Sequence, residues 1–475
     1  MIKKYDLEPT FENVANTFLN DSLKRNRFLY KFYDLLNCID SPFSICLDGP
    51  WGCGKTFFVK QTQLLLLSIN PCIDIQEGKD AINQNERNTL IEIKAEVEKK
   101  YQNIPTIHYP IYYDAWDNDN AEDPILSLVY AITKALHSEG VFDEKSEKWN
   151  GIKNTIKAIV NATEVQSSLP IESAKVSIKV KGENFLKALE QNKKSDLLVD
   201  FKKQDELRLL VDTFFNDILP ERGDRLVIFI DELDRCKPTY AIKLLERIKH
   251  YFNQEKVTFV FSTNIQELNK TICSYYGQGF SADRYLDKFF NLRLQLPKVD
   301  VEQYFNYLRV FNTFGKLESI LEEVVLHTNL ELREISRFIS LYYLARNSYL
   351  GLSFAQKTEN DAMDFCIDYI LPLMIAIKMT DSTLYNSFML GNETEFFQNF
   401  MRGNIGEIFF NFYSFYPKSE VSFDDISGGI YNWLFNVGIL DTMRDSIKTT
   451  LSFSPRHKVL LEEAISLLSF TTIYD

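Results

Sequence analysis

A glycine-rich stretch at residues 49–56, Gly-Pro-Trp-Gly-Cys-Gly-Lys-Thr, constrains the fold of this chain more than any other feature. An apolar run at residues 43–48 precedes it, and an apolar helical pattern from Phe57 onward follows it. A phosphate-binding loop requires this order of strand, loop and helix. Glycines let successive backbone N–H groups turn inward, and the start of the helix adds the positive end of its dipole. The stretch therefore predicts an α/β fold in which helices flank a parallel sheet.

This loop also supplies the first candidate binding residues. Lys55 has the length and charge to reach the β- and γ-phosphates of a nucleotide, and the Thr56 hydroxyl is suited to ligate Mg²⁺. The candidate nucleotide contacts are Gly49, Pro50, Trp51, Gly52, Cys53, Gly54, Lys55, Thr56 and Phe57. The loop thus predicts a nucleoside triphosphate with Mg²⁺ as the ligand.

A second apolar run, at residues 226–230, ends in the acidic pair Asp231 and Glu232. A run without polar alternation is typical of a central parallel strand that is covered on both faces. Carboxylates at the carboxyl end of such a strand lie where open α/β sheets bind ligands. We therefore expect Asp231 to hold Mg²⁺ through water and Glu232 to polarise the attacking water as general base.

A third buried run, at residues 257–261, ends in Ser262, Thr263 and Asn264. A polar side chain at this place would lie between the phosphate loop and the acidic pair, where it could orient the hydrolytic water or sense the γ-phosphate. Asn264 is the catalytic candidate, with Thr263 as the alternative. An N-cap for the following helix explains Asn264 equally well, and both roles can hold together.

Basic residues later in the chain are candidates for contact with the γ-phosphate. Arg284, Lys288 and Arg293 form one group, and Arg333 and Arg337 are spaced four residues apart on one predicted helix face. A cation from the same chain or from a neighbouring subunit would stabilise charge in the transition state. Arg284 and Arg333 are the catalytic candidates among them. The helix face that carries Arg333 either closes over the nucleotide as a lid or forms a surface ion-pair network.

The length of 475 residues predicts two or three domains. We predict a P-loop core at residues 1–298 with an insertion at about 117–220, a helical lid at 299–350 and an α-helical domain at 351–475. Within the insertion, residues 140–203 are rich in Lys, Glu and Ser, and an alternating run at 174–180 predicts a half-exposed strand. Partner contacts and a variable surface are both interpretations of this insertion.

Two further stretches lead to local predictions. The apolar run at residues 107–113 contains Pro110, which predicts an edge strand or a bulged strand, because proline cannot donate to the ladder. Residues 24–27, Lys-Arg-Asn-Arg, form a short basic stretch between two amphipathic helical segments, which we call the basic step. It indicates either a solvated helix face or a contact with the adenine or ribose of a nucleotide.

Composition limits the compartment and the partners. The formal net charge of −13 weighs against broad coating of nucleic acid, which needs a positive field. Seven cysteines without a C-x-x-C pair or a Cys/His cluster indicate reduced thiols in a cytoplasm-like compartment. The first residues lack the apolar core of a signal peptide, and the apolar run at 370–379 is too short to cross a membrane. We therefore predict a cytoplasmic protein without a transmembrane segment, in which residues 370–379 form a buried helix.

Several motifs together resemble those of the KAP family of P-loop NTPases, over roughly residues 10–345. They are the loop at 49–56, Tyr113–Trp116 with Glu122–Ile125, Ile230–Cys236, Tyr285–Lys288 and Arg333–Phe338. The Asp-Glu-Leu-Asp-Arg-Cys string is the most specific of them, since a P-loop alone indicates only an NTPase. The resemblance implies an ATPase of the additional-strand, catalytic-glutamate class, related to the AAA+ and STAND ATPases.

The resemblance also implies roles for single residues. It assigns Lys55 and Thr56 to phosphate and Mg²⁺, Asp231 to Mg²⁺, and Glu232 to the catalytic glutamate. Asp114 stands where the family usually has asparagine, and we assign it no role. Many members carry membrane helices between the two motifs, whereas the insertion here is polar. In bacteria, members often occur in phage-resistance operons with separate effector proteins, which implies a defence role and such partners.

These features favour an ATP hydrolase whose nucleotide cycle, together with self-association, switches or assembles partner proteins. The alternative is a nucleotide-gated binding scaffold with little turnover. Glu232 favours the hydrolase, because a pure switch has no need of a base beside the Mg²⁺ ligand. A GTPase or small-molecule kinase is less well supported, since residues 192–196 miss the guanine-reading Asn-Lys-x-Asp spacing by one residue. Direct action on nucleic acid fits the acidic charge poorly.

Overall fold

The computed structural model describes most of the chain, and the ranges that it describes are 8–73, 84–101, 103–138, 147–162, 196–219, 223–252, 254–308, 316–354, 361–413, 422–436 and 455–466. The predicted half-exposed strand at residues 174–180 lies outside these ranges.

The centre of the fold is a sheet of five parallel strands in the order β2-β3-β4-β1-β5. The strands are β1 Phe43–Asp48, β2 His108–Asp114, β3 Arg225–Asp231, β4 Val257–Thr263 and β5 Leu292–Gln295. β3 and β4 are buried at every position, as expected for apolar runs in the interior of a parallel sheet. The predicted fold class, a parallel α/β sheet with flanking helices, is confirmed.

The strand that contains Pro110 lies at one edge of the sheet. Among the described strands, β2 pairs only with β3, in a continuous register from His108 opposite Arg225 to Asp114 opposite Asp231. An edge strand has one neighbour, so that a residue without an N–H can be accommodated there. Of the two predicted explanations for this proline, the edge position is confirmed.

The register brings the carboxyl ends of four strands to one side of the sheet. Asp231 at the end of β3 lies opposite Asp114 on β2 and opposite Ser262 on β4, and Asp48 at the end of β1 lies opposite Thr263. The loop at residues 49–54 starts at this edge. Residues that lie far apart in the sequence therefore converge where parallel sheets bind ligands.

Helices surround the sheet before and between its strands. They are α1 Phe11–Leu19, α2 Asn26–Asn37, α3 Lys55–Ile69, α4 Gln84–Lys100, α5 Pro124–Ser138, α6 Glu147–Ala162, α7 Asp196–Ile218, α8 Pro238–Tyr251, α9 Ile265–Tyr276 and α10 Ala282–Leu286. A short 3₁₀ turn at Leu233–Arg235 follows β3. The proline at the first position of α8 lacks an N–H that would have no partner there, and its fixed φ suits the start of a helix.

The chain after β5 is helical throughout its described residues. The helices are α11 Val301–Leu308, α12 Lys316–Thr328, α13 Leu332–Phe354, α14 Asp361–Phe365, α15 Leu371–Thr380, α16 Ser382–Met389, α17 Thr394–Met401, α18 Asn404–Tyr413, α19 Phe423–Phe435 and α20 Pro455–Ser466. α15 is buried from Leu371 to Ile377, which confirms the predicted buried helix. In the described part of the chain, every helix is too short or too polar to cross a membrane.

Two hydrophobic cores organise the molecule. The first contains the sheet and draws its buried residues from between Val14 and Leu296, whereas the second draws on Leu23 and on residues between Tyr304 and Ile465. The change from one core to the other falls close to the predicted domain limit at residue 298. α13 runs without interruption across residue 350, and residues on both sides of that position share the second core. The separation of a lid from a C-terminal domain therefore stays a prediction.

Candidate functional site

The loop between β1 and α3 has the backbone shape of a phosphate cradle. Gly52 and Gly54 adopt φ values of 83° and 90°, in the left-handed region that side-chain-bearing residues rarely occupy. A Cβ on Gly49 would lie 2.7 Å from the Cys53 sulfur, so this glycine lets the loop close tightly on itself. The glycines are therefore required by the conformation that turns the loop N–H groups inward.

Lys55 folds back over its own loop. Its Nζ donates to the carbonyl oxygens of Gly49 at 2.7 Å and Pro50 at 3.0 Å, and the side chain is almost entirely buried. The ammonium group thus lies inside the cradle, held by neutral carbonyl oxygens. Phosphate oxygens are stronger acceptors for this charge and can replace those carbonyls.

Thr56, the first residue after Lys55, contacts the acidic end of β3. The Thr56 hydroxyl donates to Oδ2 of Asp231 at 2.7 Å, and the Tyr112 hydroxyl donates to the same oxygen at 3.0 Å. Hydroxyl and carboxylate oxygens at this spacing suit Mg²⁺, which typically takes one or two protein oxygens together with water and phosphate. The described residues contain no cluster of three or more His, Cys, Asp or Glu side chains that could hold a metal without such help. The donor set therefore fits a nucleotide-dependent Mg²⁺.

Glu232 occupies a strained position at the start of the 3₁₀ turn. Its φ of 60° places a non-glycine residue in the left-handed region, and such strain is concentrated at functional sites. Its carboxylate forms an ion pair with Nε of Arg235. Burial raises the pKa of Glu232 to about 7, the Asp231 carboxylate adds to the rise, and Arg235 opposes it. A carboxyl group with a pKa near the working pH is suited to proton transfer.

A buried carboxylate joins the loop to the end of β4. Asp234 accepts a hydrogen bond from the indole N–H of Trp51 through Oδ2, and one from the Thr263 hydroxyl through Oδ1 at 2.9 Å. The side chain of Asp234 is 6% exposed. Trp51 lies in the phosphate loop and Thr263 is the last residue of β4, so this one side chain connects three chain segments at the site.

Asn264 caps α9. Its side-chain oxygen accepts from the backbone N–H groups of Gln266 at 3.1 Å and Glu267 at 3.4 Å. This geometry is that of an N-cap, one of the two predicted explanations for the residue. β4 lies between β1 and β3, so Asn264 follows the strand that separates the phosphate loop from the acidic pair. Its role as a catalytic residue stays a prediction.

The two predicted γ-phosphate cations lie in different places. Arg333 lines the cleft beside the loop, and its backbone N–H donates to the Gly52 carbonyl at 3.3 Å. Arg284 is exposed on the short helix α10 and is absent from the lining of the cleft. Arg293 pairs with Asp287 at 2.7 Å and is likewise absent from that lining. Within a single chain, only Arg333 of these three is therefore near the loop.

Arg25 differs from the solvated helix residue that is one of the two interpretations of the basic step at residues 24–27. It is 2% exposed, and its guanidinium donates to the carbonyl of Cys53 at 2.8 Å and twice to the carbonyl of Pro297. Burial lowers the pKa of Arg25 to about 10. This buried side chain supports the phosphate loop through the Cys53 carbonyl and does not line the cleft. Contact of the basic step with adenine or ribose stays a prediction.

The loop faces a cleft of about 330 Å³, which we call the loop cleft. Its volume lies at the lower end of the range for small-molecule sites. The lining includes Gly52, Gly54, Lys55, Thr56, Phe57 and Lys60 near the loop, Tyr112, Asp114, Glu232 and Arg235 at the strand ends, and Tyr304, Leu332, Arg333 and Ser336 from the helical part. Both hydrophobic cores thus contribute to one cleft.

A hollow of about 430 Å³ between α7 and α8 is larger but offers no comparable chemistry. Two of its basic side chains are already engaged, because Arg208 donates to the His250 carbonyl and Arg247 pairs with Asp123 at 3.1 Å. No residue of the phosphate loop lines it. The loop cleft is therefore the candidate functional site.

Sequence reasoning did not assign the observed contacts of four residues that line the loop cleft or support it. Arg235 and Asp234 lie within a recognised motif, but their partners depend on the 3₁₀ turn that follows Glu232. Tyr112 and Arg25 had weaker signals, namely a tyrosine two residues before the end of a strand and one arginine in a basic run. The pattern of residues along the chain does not reveal which oxygen a side chain will reach.

Comparisons with known proteins agree with this geometry. A family model described as "KAP family P-loop domain" matches residues 25–348, more than half of the chain. An uncharacterised protein of Methanocaldococcus jannaschii, MJ0182, is 26% identical over 159 residues, which cover 32% of this chain and 80% of that protein. Among solved structures, the ORC2 protein of Aeropyrum pernix in ADPNP–ADP complexes aligns with 96% of this chain and 93% of its own at 12% identity. Its TM-score is 0.29, which is too low to indicate a shared fold. By the extent of the family match and the motifs in the loop cleft, this chain belongs to the KAP family of P-loop NTPases.

Proposed function

We propose that this protein binds ATP with Mg²⁺ in the loop cleft and hydrolyses it. One observation carries the proposal: the Thr56 hydroxyl of the phosphate loop lies 2.7 Å from Asp231, and Glu232, the next residue, lines the same cleft. Phosphate-binding, metal-binding and proton-accepting groups are therefore assembled around one space. Family membership supports the nucleotide, and the acidic pair supports its hydrolysis.

Each side chain has a defined task in this proposal. Lys55 exchanges the carbonyls of Gly49 and Pro50 for the β- and γ-phosphate oxygens, while the loop N–H groups surround the phosphates. Thr56 and Asp231 hold Mg²⁺, which neutralises charge on the phosphates when it is bound. Glu232 accepts a proton from the attacking water, and Asn264 orients that water from the end of β4.

Calorimetric titration of the wild-type protein with ATP, ADP and GTP in the presence of Mg²⁺ tests the binding step. We expect ATP to bind, GTP to bind more weakly, and Lys55→Ala to lower ATP affinity by about tenfold or more, since a charged hydrogen bond to phosphate is lost. Lys60→Ala is a control for loss of a nearby positive charge, because Lys60 donates to the Pro9 carbonyl. No measurable ATP binding by the wild type would refute the proposal.

A nucleotide-gated scaffold with little turnover is the second candidate. The ion pair between Glu232 and Arg235 favours it, because the carboxylate that would accept the proton is already engaged. Measurement of phosphate release by the wild type, alone and with candidate partner proteins or phage components, separates the two functions. The hydrolase fails if the protein binds ATP and yet shows no turnover under any of these conditions.

We further propose that the nucleotide cycle switches or assembles separate effector proteins in bacterial defence against phage, and that the protein self-associates in the cytoplasm. The support is the resemblance to KAP proteins of phage-resistance operons. All seven cysteines lie in the described part of the chain and none forms a disulfide, which agrees with a reducing compartment. Phage-plating efficiency on cells that express wild-type or Lys55→Ala protein with the neighbouring genes tests the defence role. Equal plating on both strains would contradict it.

A further inference from the structure

Arg235 lines the loop cleft next to the proposed base, Glu232. It ends the 3₁₀ turn Leu233–Arg235, and its Nε pairs with Oε2 of Glu232. Its guanidinium carbon lies 5.3 Å from the ring centre of Trp116, which follows β2. The side chain is 23% exposed, and it lines the cleft together with Lys55 and Thr56. One arginine therefore touches the proposed base and an aromatic face while it borders the phosphate site.

We propose that Arg235 is a catalytic residue that leaves Glu232 and binds the terminal phosphate when a nucleoside triphosphate enters the cleft. This inference rests on the proposed function and adds a residue to it. In the nucleotide-free state, Arg235 occupies the Glu232 carboxylate. In the triphosphate state, the guanidinium faces the γ-phosphate and the carboxylate is left to accept a proton from water.

The charges around Glu232 support this exchange. Asp114, Asp231 and Asp234 all lie close enough to act on Glu232 electrostatically, and Arg235 is the basic residue that opposes their effect through its ion pair with Glu232. A triphosphate brings a higher and more concentrated negative charge, and the planar guanidinium fork can bind two phosphate oxygens at once. The incoming phosphate attracts Arg235 and repels Glu232. Both effects favour the exchange.

The position of Trp116 limits the movement that the exchange requires. Cation–π contact holds the guanidinium over the indole face without a directional hydrogen bond, so the arginine can turn from one acceptor to another along this surface. Trp116 is 49% exposed and follows the strand next to β3. Its ring is therefore a contact for Arg235 that persists while the guanidinium changes acceptor.

The other basic residues of the cleft are less suited to this task. Two lysines line the cleft in the described part of the chain. Lys60 donates to the Pro9 carbonyl and lies over the Tyr112 ring, whereas Lys55 lies within the loop. Arg333 lies in the first turn of α13 and has no ion pair with the proposed base in the described structure. Among these basic side chains, Arg235 alone can couple binding of a γ-phosphate to release of the Glu232 carboxylate from its ion pair.

The test is made in a Glu232→Gln background. Glutamine cannot form the ion pair, and we expect the Glu232→Gln variant to hydrolyse ATP about a hundredfold or more slowly than the wild type. Any further effect of Arg235 on nucleotide affinity therefore comes from its own contact with the nucleotide. Calorimetry gives the affinities of Glu232→Gln and of Glu232→Gln with Arg235→Ala for Mg²⁺–ATP and Mg²⁺–ADP. We expect removal of Arg235 to weaken ATP binding by about tenfold or more and ADP binding by less than about threefold.

A second variant and a distant control complete the experiment. Arg235→Lys in the same background keeps the charge but loses the fork, and we expect an intermediate loss of ATP affinity. Arg402→Ala removes an arginine whose guanidinium pairs with Asp424 between α17 and α19, and it should leave both affinities unchanged. Circular dichroism and thermal melting of each variant show whether it is folded.

Three results would overturn the inference. If ATP and ADP affinities change equally, or if neither changes, Arg235 does not contact the γ-phosphate, although the proposed ATP-binding function stands. If Arg235→Ala is unfolded, the result with Arg235→Lys decides, and ATP affinity equal to that of the parent contradicts the inference. If the Glu232→Gln parent binds neither nucleotide, the proposed function fails and the inference fails with it.

Discussion

At the scale of single residues, the site depends on buried charges that have two partners each. Asp234 is the clearest case, since each carboxylate oxygen accepts one hydrogen bond, from Trp51 and from Thr263. A buried carboxylate that loses one of its donors bears the cost of desolvation without compensation. This arrangement explains why an apparently exposed tryptophan belongs in the phosphate loop.

Replacement of Trp51 by phenylalanine tests this role. The ring is retained and the N–H donor is lost, so that Oδ2 of Asp234 has no partner. We expect the free energy of unfolding to fall by about 1–3 kcal/mol, as for other unsatisfied buried acceptors. Chemical denaturation measures the change. Trp116→Phe is the matched control, because Trp116 packs against Arg235 through its ring. An equal and small effect of both substitutions would show that the indole N–H of Trp51 has no special role.

His108 supplies a second prediction at this scale. It is 3% exposed at the start of β2, its Nε2 lies 3.0 Å from Oδ1 of Asn37, and its Nδ1 has no partner in the described structure. Burial, assisted by the charge of Arg225, lowers the pKa of His108 from 6.5 to about 4. The unfolded chain therefore binds a proton at a higher pH than the folded chain does. Stability is lost as the pH falls from the unfolded pKa towards the folded one.

As the pH falls from about 7 to about 5, the lowered pKa of His108 should reduce the free energy of unfolding by about 2 kcal/mol. Denaturation curves of wild type and His108→Gln at each pH isolate the effect, because carboxylates titrate in both proteins. The difference between the two proteins should narrow as the pH falls. A difference that is constant across this range would mean that His108 titrates normally in the folded protein.

The principal residues of the site could be predicted from sequence because each follows a strand or opens a helix with a recognisable pattern. Lys55, Thr56, Asp231 and Glu232 all converge on the loop cleft. Arg25 could not be predicted, because its role depends on where the chain passes Pro297, more than two hundred residues away. The pairing of Arg235 with Glu232 depends on a left-handed residue that no sequence pattern signals.

At the scale of secondary-structure elements, the phosphate loop is held by two helices that do not belong to the strand–loop–helix unit. Arg25, at the start of α2, bonds to the Cys53 carbonyl, and Arg333, near the start of α13, bonds to the Gly52 carbonyl. Leu332 packs so closely that a Cβ on Gly54 would lie 2.9 Å from its Cδ1. The first turn of α13 is therefore part of the phosphate site.

Gly54→Ala tests this packing. Alanine at φ 90° is strained, and its methyl group would force Leu332 and Arg25 away from the loop. We expect ATP affinity in calorimetry to fall by about tenfold or more, together with a loss of stability beyond the roughly 1 kcal/mol cost of the left-handed backbone. Gly403→Ala is the matched control, since Gly403 has φ 74° and a Cβ added there would meet no atom within 4 Å. If both variants lose only the same small amount of stability and bind ATP normally, the contact with α13 is unimportant.

The sheet could be predicted from sequence more completely than the helices after it. β3 and β4 are continuous apolar runs that end in polar residues, a pattern that fits only the interior of a parallel sheet. The helices after β5 pack against one another through aromatic and aliphatic faces, and many arrangements satisfy such a pattern. Their order along the chain could be predicted, whereas their packing against the phosphate loop could not.

At the scale of the whole molecule, the loop cleft lies where the two hydrophobic cores meet. Lys55 and Thr56 lie on α3, a helix of the first core, whereas Tyr304 belongs to the second core and shares a hydrogen bond of 2.7 Å with Ser336 on α13. A ligand in this cleft contacts both parts of the protein. The proposed nucleotide cycle therefore has a direct route to the helical part, through α11 and α13.

The central claim is that ATP is hydrolysed in this cleft with Glu232 as the base. Phosphate release from Mg²⁺–ATP by the wild type and by Glu232→Gln, with ATP affinity measured on the same samples, tests it most directly. We predict turnover by the wild type, ATP binding at least as tight by Glu232→Gln, and a loss of about a hundredfold or more in its phosphate release, as for removal of a general base. Phosphate release by Glu232→Gln at the wild-type rate, with ATP bound, would contradict the claim.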